Sequence, residues 1–216
     1  MADTLKGRHV LITAGPTREP IDPVRFISNH SSGQQGYAIA KACAALGAKV
    51  TLVAGPTALA DPDGLETVRV ETALEMLAAV EKALPTDVFI AVAAVADWRP
   101  AEAADKKLKL DKGEFTSLAL TENPDILKTI SHLGEDRPGL VIGFAAETHD
   151  VEALAKAKRV RKGCDWIVAN DVSGDVMGGA ENAVLLVTED KVEVWERMPK
   201  QAVADALARQ IAAALN

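Results

Sequence analysis

Several familiar signatures are missing from this 216-residue chain, and each absence removes a class of function. There are only two cysteines, Cys43 and Cys164, with no C-x-x-C spacing, so no disulfide framework is expected. His9, His30, His132 and His149 show no metal-ligand spacing. No segment has the length and apolarity of a membrane span, and Met1 to Lys6 lack both a signal-peptide core and an arginine-rich transit pattern. The G-x-S-x-G elbow of serine hydrolases is absent, as is the G-x-x-x-x-G-K-[ST] phosphate loop. A dinucleotide site would need G-x-G-x-x-G at the first turn, where the chain instead has Gly15-Pro16-Thr17-Arg18. Net charge of -7 argues against broad binding to nucleic acid or to anionic membrane. A reducing, cytoplasmic setting fits these features.

What is present is an alternation of apolar strands and Ala-rich helices, with 48% hydrophobic residues to build a core. Strands are predicted near His9–Ala14, Lys49–Ala54, Glu66–Glu71, Val88–Val95, Leu140–Phe144 and Trp166–Ala169. Helices are predicted near Gly33–Leu46, Ala73–Ala83, Pro124–Leu133, Val151–Arg161 and Lys200–Leu215, with Thr72 and Glu75 forming a capping box. Near-continuous apolar strands point to a doubly wound, mainly parallel sheet covered on both faces. Two stretches depart from the alternation. Lys106 to Leu120 alternates Lys and Leu around Asp111-Lys112-Gly113 and reads as a hairpin projecting from the sheet edge. Asn182–Glu189 and Lys191–Arg197 read as a second hairpin. With no repeat or linker, residues 1–216 are expected to form one domain.

The most informative stretch joins the first strand to the first helix, from Gly15 to Gly36. Such connections usually take a few residues, and open α/β folds place ligands beside loops of this kind. Ser31 and Ser32 are good N-cap candidates, and a helix starting at Gly33 would offer amide donors to an anion. Asp97 ends a small-residue run that includes Ala93 and Ala94, where a ligand can lie against backbone. It serves equally as a ribose, base or magnesium contact or as a loop acid. Asn123-Pro124 reads as an N-cap and first helical residue aimed at the same edge. Lys106, Lys107, Lys109 and Lys112 fit either a phosphate-covering flap or a lysine-guarded edge strand. Lys158 and Lys162 share a helical face, and Phe144 ends a strand.

Taken together, Thr13-Ala14-Gly15-Pro16-Thr17-Arg18-Glu19-Pro20, Ser28-Asn29-His30-Ser31-Ser32-Gly33, Ala93-Ala94-Val95-Ala96-Asp97, Lys107-Leu108-Lys109, Asn123-Pro124-Asp125-Ile126, Gly143-Phe144-Ala145-Ala146-Glu147-Thr148 and Ala169-Asn170-Asp171 closely resemble phosphopantothenoylcysteine synthetase. That family is the ligase of coenzyme A biosynthesis, often the C-terminal half of a bifunctional bacterial protein. The resemblance implies a Rossmann-like fold with an extra β-hairpin flap used in dimerisation. It also implies CTP, 4′-phosphopantothenate and L-cysteine as substrates, magnesium bridging the triphosphate, a homodimer, and fusion to or association with a phosphopantothenoylcysteine decarboxylase. Carried over by position, Asn29, Ala93 and Ala94 would hold an acyl-cytidylate. Asp97, Pro124, Asp125, Ile126, Leu127, Phe144, Lys158 and Lys162 would bind the nucleotide, and Lys107 would stabilise the pentavalent phosphorus. The abrupt start before the first strand suggests a piece excised from such a fusion. The competing reading is a nucleotide-binding or scaffold relative without catalysis, against which intact Asn29 and Lys107 speak.

Overall fold

A computed structural model describes residues 4–108, 117–147, 149–171 and 181–215. The elements run β1 (His9–Ala14), β2 (Arg18–Pro20), β3 (Phe26–Ser28), α1 (Gln34–Ala45), β4 (Lys49–Ala54), β5 (Glu66–Arg69), α2 (Ala73–Lys82), β6 (Val88–Ala91), β7 (Trp98–Pro100), β8 (Leu120–Glu122), α3 (Ile126–Ser131), β9 (Leu140–Glu147), α4 (Val151–Lys162), β10 (Trp166–Asp171), β11 (Glu181–Val187), β12 (Val192–Pro199) and α5 (Lys200–Leu215). Eight strands form one sheet in the order β12-β11-β10-β9-β6-β1-β4-β5. From β10 to β5 all neighbours are parallel, whereas β11 runs antiparallel to both β10 and β12. The fold is Rossmann-like. Its strand order reverses at β1, with β4 on one side and β6 on the other, and this is where open sheets part to admit ligands.

Strand side chains alternate between two cores with the period of two that a pleated strand imposes. Val10 and Ile12 of β1, Leu52 of β4, Ile90 of β6 and Ile142 of β9 pack with α1 and α5. Leu11, Val53, Phe89, Val141 and Ile167 face the opposite way and pack with α2, α3 and α4. Each such fully buried side chain contributes roughly 1.5–3 kcal/mol. The capping box at α2 forms as expected, with Glu75 N donating to Thr72 and the Glu75 carboxylate accepting from the Thr72 amide.

Four local expectations need correction. The run predicted as a strand through Val95 stops pairing with β9 at Ala91 and continues alongside the loop after β1. The N-cap of α1 is Gly33 at φ 74° without a side-chain cap bond, a backbone geometry that Ser31 and Ser32 would adopt only with strain. The N-cap of α3 is Asp125, whose carboxylate accepts from Lys128 N at 3.1 Å, rather than Asn123. Finally, the pairing in the flap region joins Trp98–Pro100 to Leu120–Glu122 as a separate two-stranded sheet. Lys106, Lys107 and Leu108 are not in a strand, and Lys109, the Asp111-Lys112-Gly113 turn and Thr148 lie outside the described residues.

The long β1–α1 connection is fixed where it leaves the sheet by a close approach at Gly55. A Cβ there would stand 1.8 Å from the Pro16 carbonyl oxygen, which backbone cannot yield without moving the loop. Gly55→Ala is therefore expected to cost about 2–3 kcal/mol, as overpacking of a rigid contact does. Urea unfolding checks this, and an unchanged midpoint would show that the loop gives way freely.

Candidate active site

The ends of β1 and β6 stay together beyond the sheet. Val92 N donates to Thr13 O at 3.2 Å, Ala94 N to Gly15 O at 2.9 Å and Thr17 N to Ala94 O at 3.3 Å. The buried Thr17 hydroxyl then accepts from Ala96 N at 3.1 Å. This ladder presents the backbone of Ala93 and Ala94 as the floor of a 500 Å³ cleft. Asn29, Ala93, Ala94, Asp97, Phe144 and Lys158 all line it, although they come from four separate parts of the chain. Asn29 is held over this floor by its Nδ2, which donates to Val95 O at 3.0 Å. Its Oδ1 takes no hydrogen bond among the described residues.

A smaller pocket of 180 Å³ opens from the same floor and shares Ala93, Val95, Asp97, Phe144 and Lys158 with the cleft. Its remaining walls include Pro124, Asp125, Ile126, Leu127 and Lys162. Asn123 aligns this wall by donating through Nδ2 to Ala96 O at 2.9 Å and through its backbone N–H to Asp97 O at 2.8 Å. Asparagine was read from sequence as a cap because that is its commonest local role. Here it bridges two loops instead.

Lys158 stands where the two spaces meet, its ammonium donating to Phe144 O at 2.8 Å. Burial pushes its pKa below the usual lysine value, and the neighbouring Lys162 adds to the shift. Lys162 pairs with Asp125, which both caps α3 and holds this cation. α1 contributes its first-turn amides, with Ser31 Oγ accepting from Gly33 N at 3.3 Å. Lys107, in contrast, is exposed and lines neither space.

Several lining residues were not singled out from sequence. Gln35 and Asn182 join at 3.1 Å on the far wall, and Gln35 Nε2 reaches Lys200 O at 3.2 Å. Asn170 carries a buried Oδ1 with no partner among the described residues. The Asn170-Asp171 pair at a strand end was a visible signal, but Gln35 and Asn182 meet only through tertiary packing. A third space of 850 Å³ lies across the 29–34 segment and shares Asn29, His30, Ser31, Ser32 and Gln34 with the main cleft.

The small pocket therefore offers the ammonium groups of Lys158 and Lys162, backbone polar groups and apolar walls, and no cluster of three metal-binding side chains occurs among the described residues. Asp97 and the lysine-paired Asp125 are the carboxylates of the small pocket. That donor set fits a magnesium ion held mainly by phosphate and water rather than by a protein cage.

Comparison with known proteins gives the family. Residues 5–215 match the DNA/pantothenate metabolism flavoprotein C-terminal domain. The coenzyme A biosynthesis bifunctional protein CoaBC of Vibrio cholerae is 48% identical over 207 residues, covering 94% of this chain and 52% of that protein. Its counterpart from Escherichia coli is 46% identical over 212 residues, covering 96% of this chain and 52% of its own length. The chain thus spans about half the length of the curated relatives it matches. A crystal structure of the C-terminal domain of a CoaBC protein superposes with a TM-score of 0.84 at 42% identity, covering 99% of this chain and 98% of that one. By sequence and by fold, the chain belongs to the family of DNA/pantothenate metabolism flavoprotein C-terminal domains.

Proposed function

We propose that this chain is a phosphopantothenate–cysteine ligase that uses CTP. The observation that carries the reading is the convergence of Asn29, Ala93, Asp97, Phe144 and Lys158 on one cleft at the strand-order reversal. In the first step the carboxylate of 4′-phosphopantothenate attacks the α-phosphorus of CTP, and pyrophosphate leaves. In the second, the amine of cysteine attacks the acyl carbon of the acyl-cytidylate, CMP leaves, and the amide nitrogen loses its proton. Neither step needs a protein nucleophile; both need alignment and charge neutralisation.

The small pocket suits the nucleotide. Phe144 offers a ring, Asp97 an acceptor, and Lys158 and Lys162 positive charge near the phosphates. An arriving anion competes with Asp125 for Lys162. On this reading the acyl group lies along the backbone of Ala93 and Ala94, which line the cleft, and Asn29 Oδ1, which takes no hydrogen bond among the described residues, accepts from the incoming amine. Magnesium, when bound, would neutralise the triphosphate and favour departure of pyrophosphate. Lys107 stands outside the cleft, and on this reading its ammonium reaches the reacting phosphorus only once the substrates are bound.

We also infer a homodimer. Val24, Phe26, Trp98 and Leu120 are 59%, 50%, 47% and 45% exposed, and all lie in or beside the β2–β3 and β7–β8 hairpins, which pack on each other. Large apolar groups gathered in this way mark a protein contact. Light scattering at micromolar concentration should give twice the chain mass, and a monomer mass would remove the inference.

The ligase reading predicts that the two half-reactions separate. Lys107→Gln should slow phosphopantothenate-dependent pyrophosphate release by about a hundredfold, the scale of losing one transition-state charge contact. Asn29→Asp should release pyrophosphate and then retain the acyl-cytidylate, because a carboxylate cannot donate to Val95 O and the side chain shifts. Amide formed at the normal rate by Asn29→Asp would contradict its role. A chain that releases no pyrophosphate with both substrates would contradict the reading itself.

Lys158 gives a pH signature. Burial holds its pKa below that of an ordinary lysine, so its charge is lost earlier on the alkaline side than that of an exposed lysine. CTP affinity should exceed that of Lys158→Met at pH 7, and the gap should narrow as pH rises towards 10. A gap constant across that range, measured calorimetrically, would exclude contact between this ammonium and the nucleotide.

A further inference from the structure

We propose that Asp22 is a positioning residue of this enzyme: its buried carboxylate locks the turn preceding Asn29 to the backbone of Leu108 and thereby fixes the base from which Lys107 acts. The inference rests on the ligase reading.

Asp22 lies in the turn between β2 and β3, and its side chain is completely buried. One carboxylate oxygen does what a turn aspartate ordinarily does, accepting from Val24 N and Arg25 N at 2.9 Å each. An asparagine would serve there equally well. The second oxygen is used differently. It accepts from Arg25 Nε at 3.0 Å and Nη2 at 2.5 Å, and from Leu108 N at 3.1 Å, across a separation of 86 residues.

Arg25 completes the grip, because its Nη2 also donates to Leu108 O at 3.3 Å. Both polar groups of the Leu108 residue are thus held by one ion pair. A further tie joins Ala104 N to Ile21 O at 3.0 Å. The chain on either side of Lys107 is therefore anchored to the turn that leads through β3 into Asn29. The Arg25 guanidinium beside Asp22 holds its carboxyl well below the usual carboxylate range, so the pair stays charged throughout neutral pH. Aspartate is almost never fully buried without such pairing, and local turn formation does not require it. Burial of the carboxylate is explained by the long-range bond to Leu108.

The consequence is mechanical. The residue assigned to the first half-reaction and the residue assigned to the second are carried on segments that share one charged clamp. Small displacements of a reacting group are costly in rate, so loosening the clamp should act through Lys107 without altering the nucleotide pocket.

Asp22→Asn tests this. It keeps an oxygen for the turn amides and replaces the oxygen that accepts from Leu108 and Arg25. Single-turnover pyrophosphate release is measured for wild type, Asp22→Asn, Lys107→Gln and the double variant, all in the full chain. Asp22→Asn is expected to slow release roughly tenfold with the KM for CTP within about twofold, and to have no further effect in the Lys107→Gln background. Exchange of the Leu108 amide should quicken in the same variant. Equal slowing in both backgrounds would mark a merely structural residue and overturn the proposal, as would unchanged release. Should the asparagine variant fail to fold, Asp22→Ser, whose hydroxyl still accepts from the turn amides, gives the same comparison. A wild type without substrate-dependent pyrophosphate release would overturn both the ligase reading and this proposal, whereas an active wild type with additive variants would overturn this proposal alone.

Discussion

The bonds that run past the sheet between the ends of β1 and β6 are the constraint on which the site depends. Parallel strands normally diverge where the strand order reverses, because each feeds a connection on a different side. Here Val92, Ala94 and Ala96 remain bonded to Thr13, Gly15 and the Thr17 hydroxyl. The crevice is therefore closed underneath and open above. Alanines at this level keep the floor low, since larger side chains would fill the space that Phe144 and Lys158 border. The two clefts share this floor, which is what allows a ligand to extend from one into the other.

Charge is arranged locally against the overall balance. A chain of net charge -7 still gathers Lys158 and Lys162 at one edge. Burial of Lys158 disfavours its ammonium, and the carbonyl of Phe144 only partly compensates. Lys162 differs, being neutralised by Asp125. Asp125 thereby has two uses, since the same carboxylate caps α3. An aspartate at a helix start is favourable in either state, so exchanging Lys162 for a ligand does not strand a buried charge.

Much of this was legible in the residues. β1 and β4 have the bounds that their apolar runs predict, and α2 carries the capping box that Thr72 and Glu75 announce. Both are decided by local pattern. The start of α3 was misplaced because Asn123 is drawn away by Ala96 and Asp97, partners some 27 residues distant that no local rule contains. The Lys106–Leu108 alternation resembled a strand, but a period of two only reports what a strand would bury. In this case Leu108 is gripped through its backbone by Asp22 and Arg25. Candidate site residues at strand ends could be named from sequence because topology gathers strand ends at one edge. Wall residues such as Gln35 and Asn182 could not, since their contact depends on how α1 packs against β11.

The β1–α1 excursion shows how the fold tolerates so long a loop. An apolar core cannot hold it, because the segment runs along the rim of the cleft and carries many polar side chains. It is held instead by polar side chains at intervals, of which Thr17, Glu19 and Asp22 are buried. Thr17 bonds the β6 end, and Glu19 caps α2 through Ala73 N at 3.0 Å. Asp22 secures the turn, and Ser28 donates to Thr17 O at 2.6 Å. Apolar packing is tolerant of direction, whereas each of these contacts fixes an angle as well as a distance. Asn29 follows immediately after the last of them, so its position is set by a series of directional bonds to the end of β6, the start of α2 and the loop itself. If the proposed ligation is the reaction, its need for alignment is met where the structure concentrates these directional bonds.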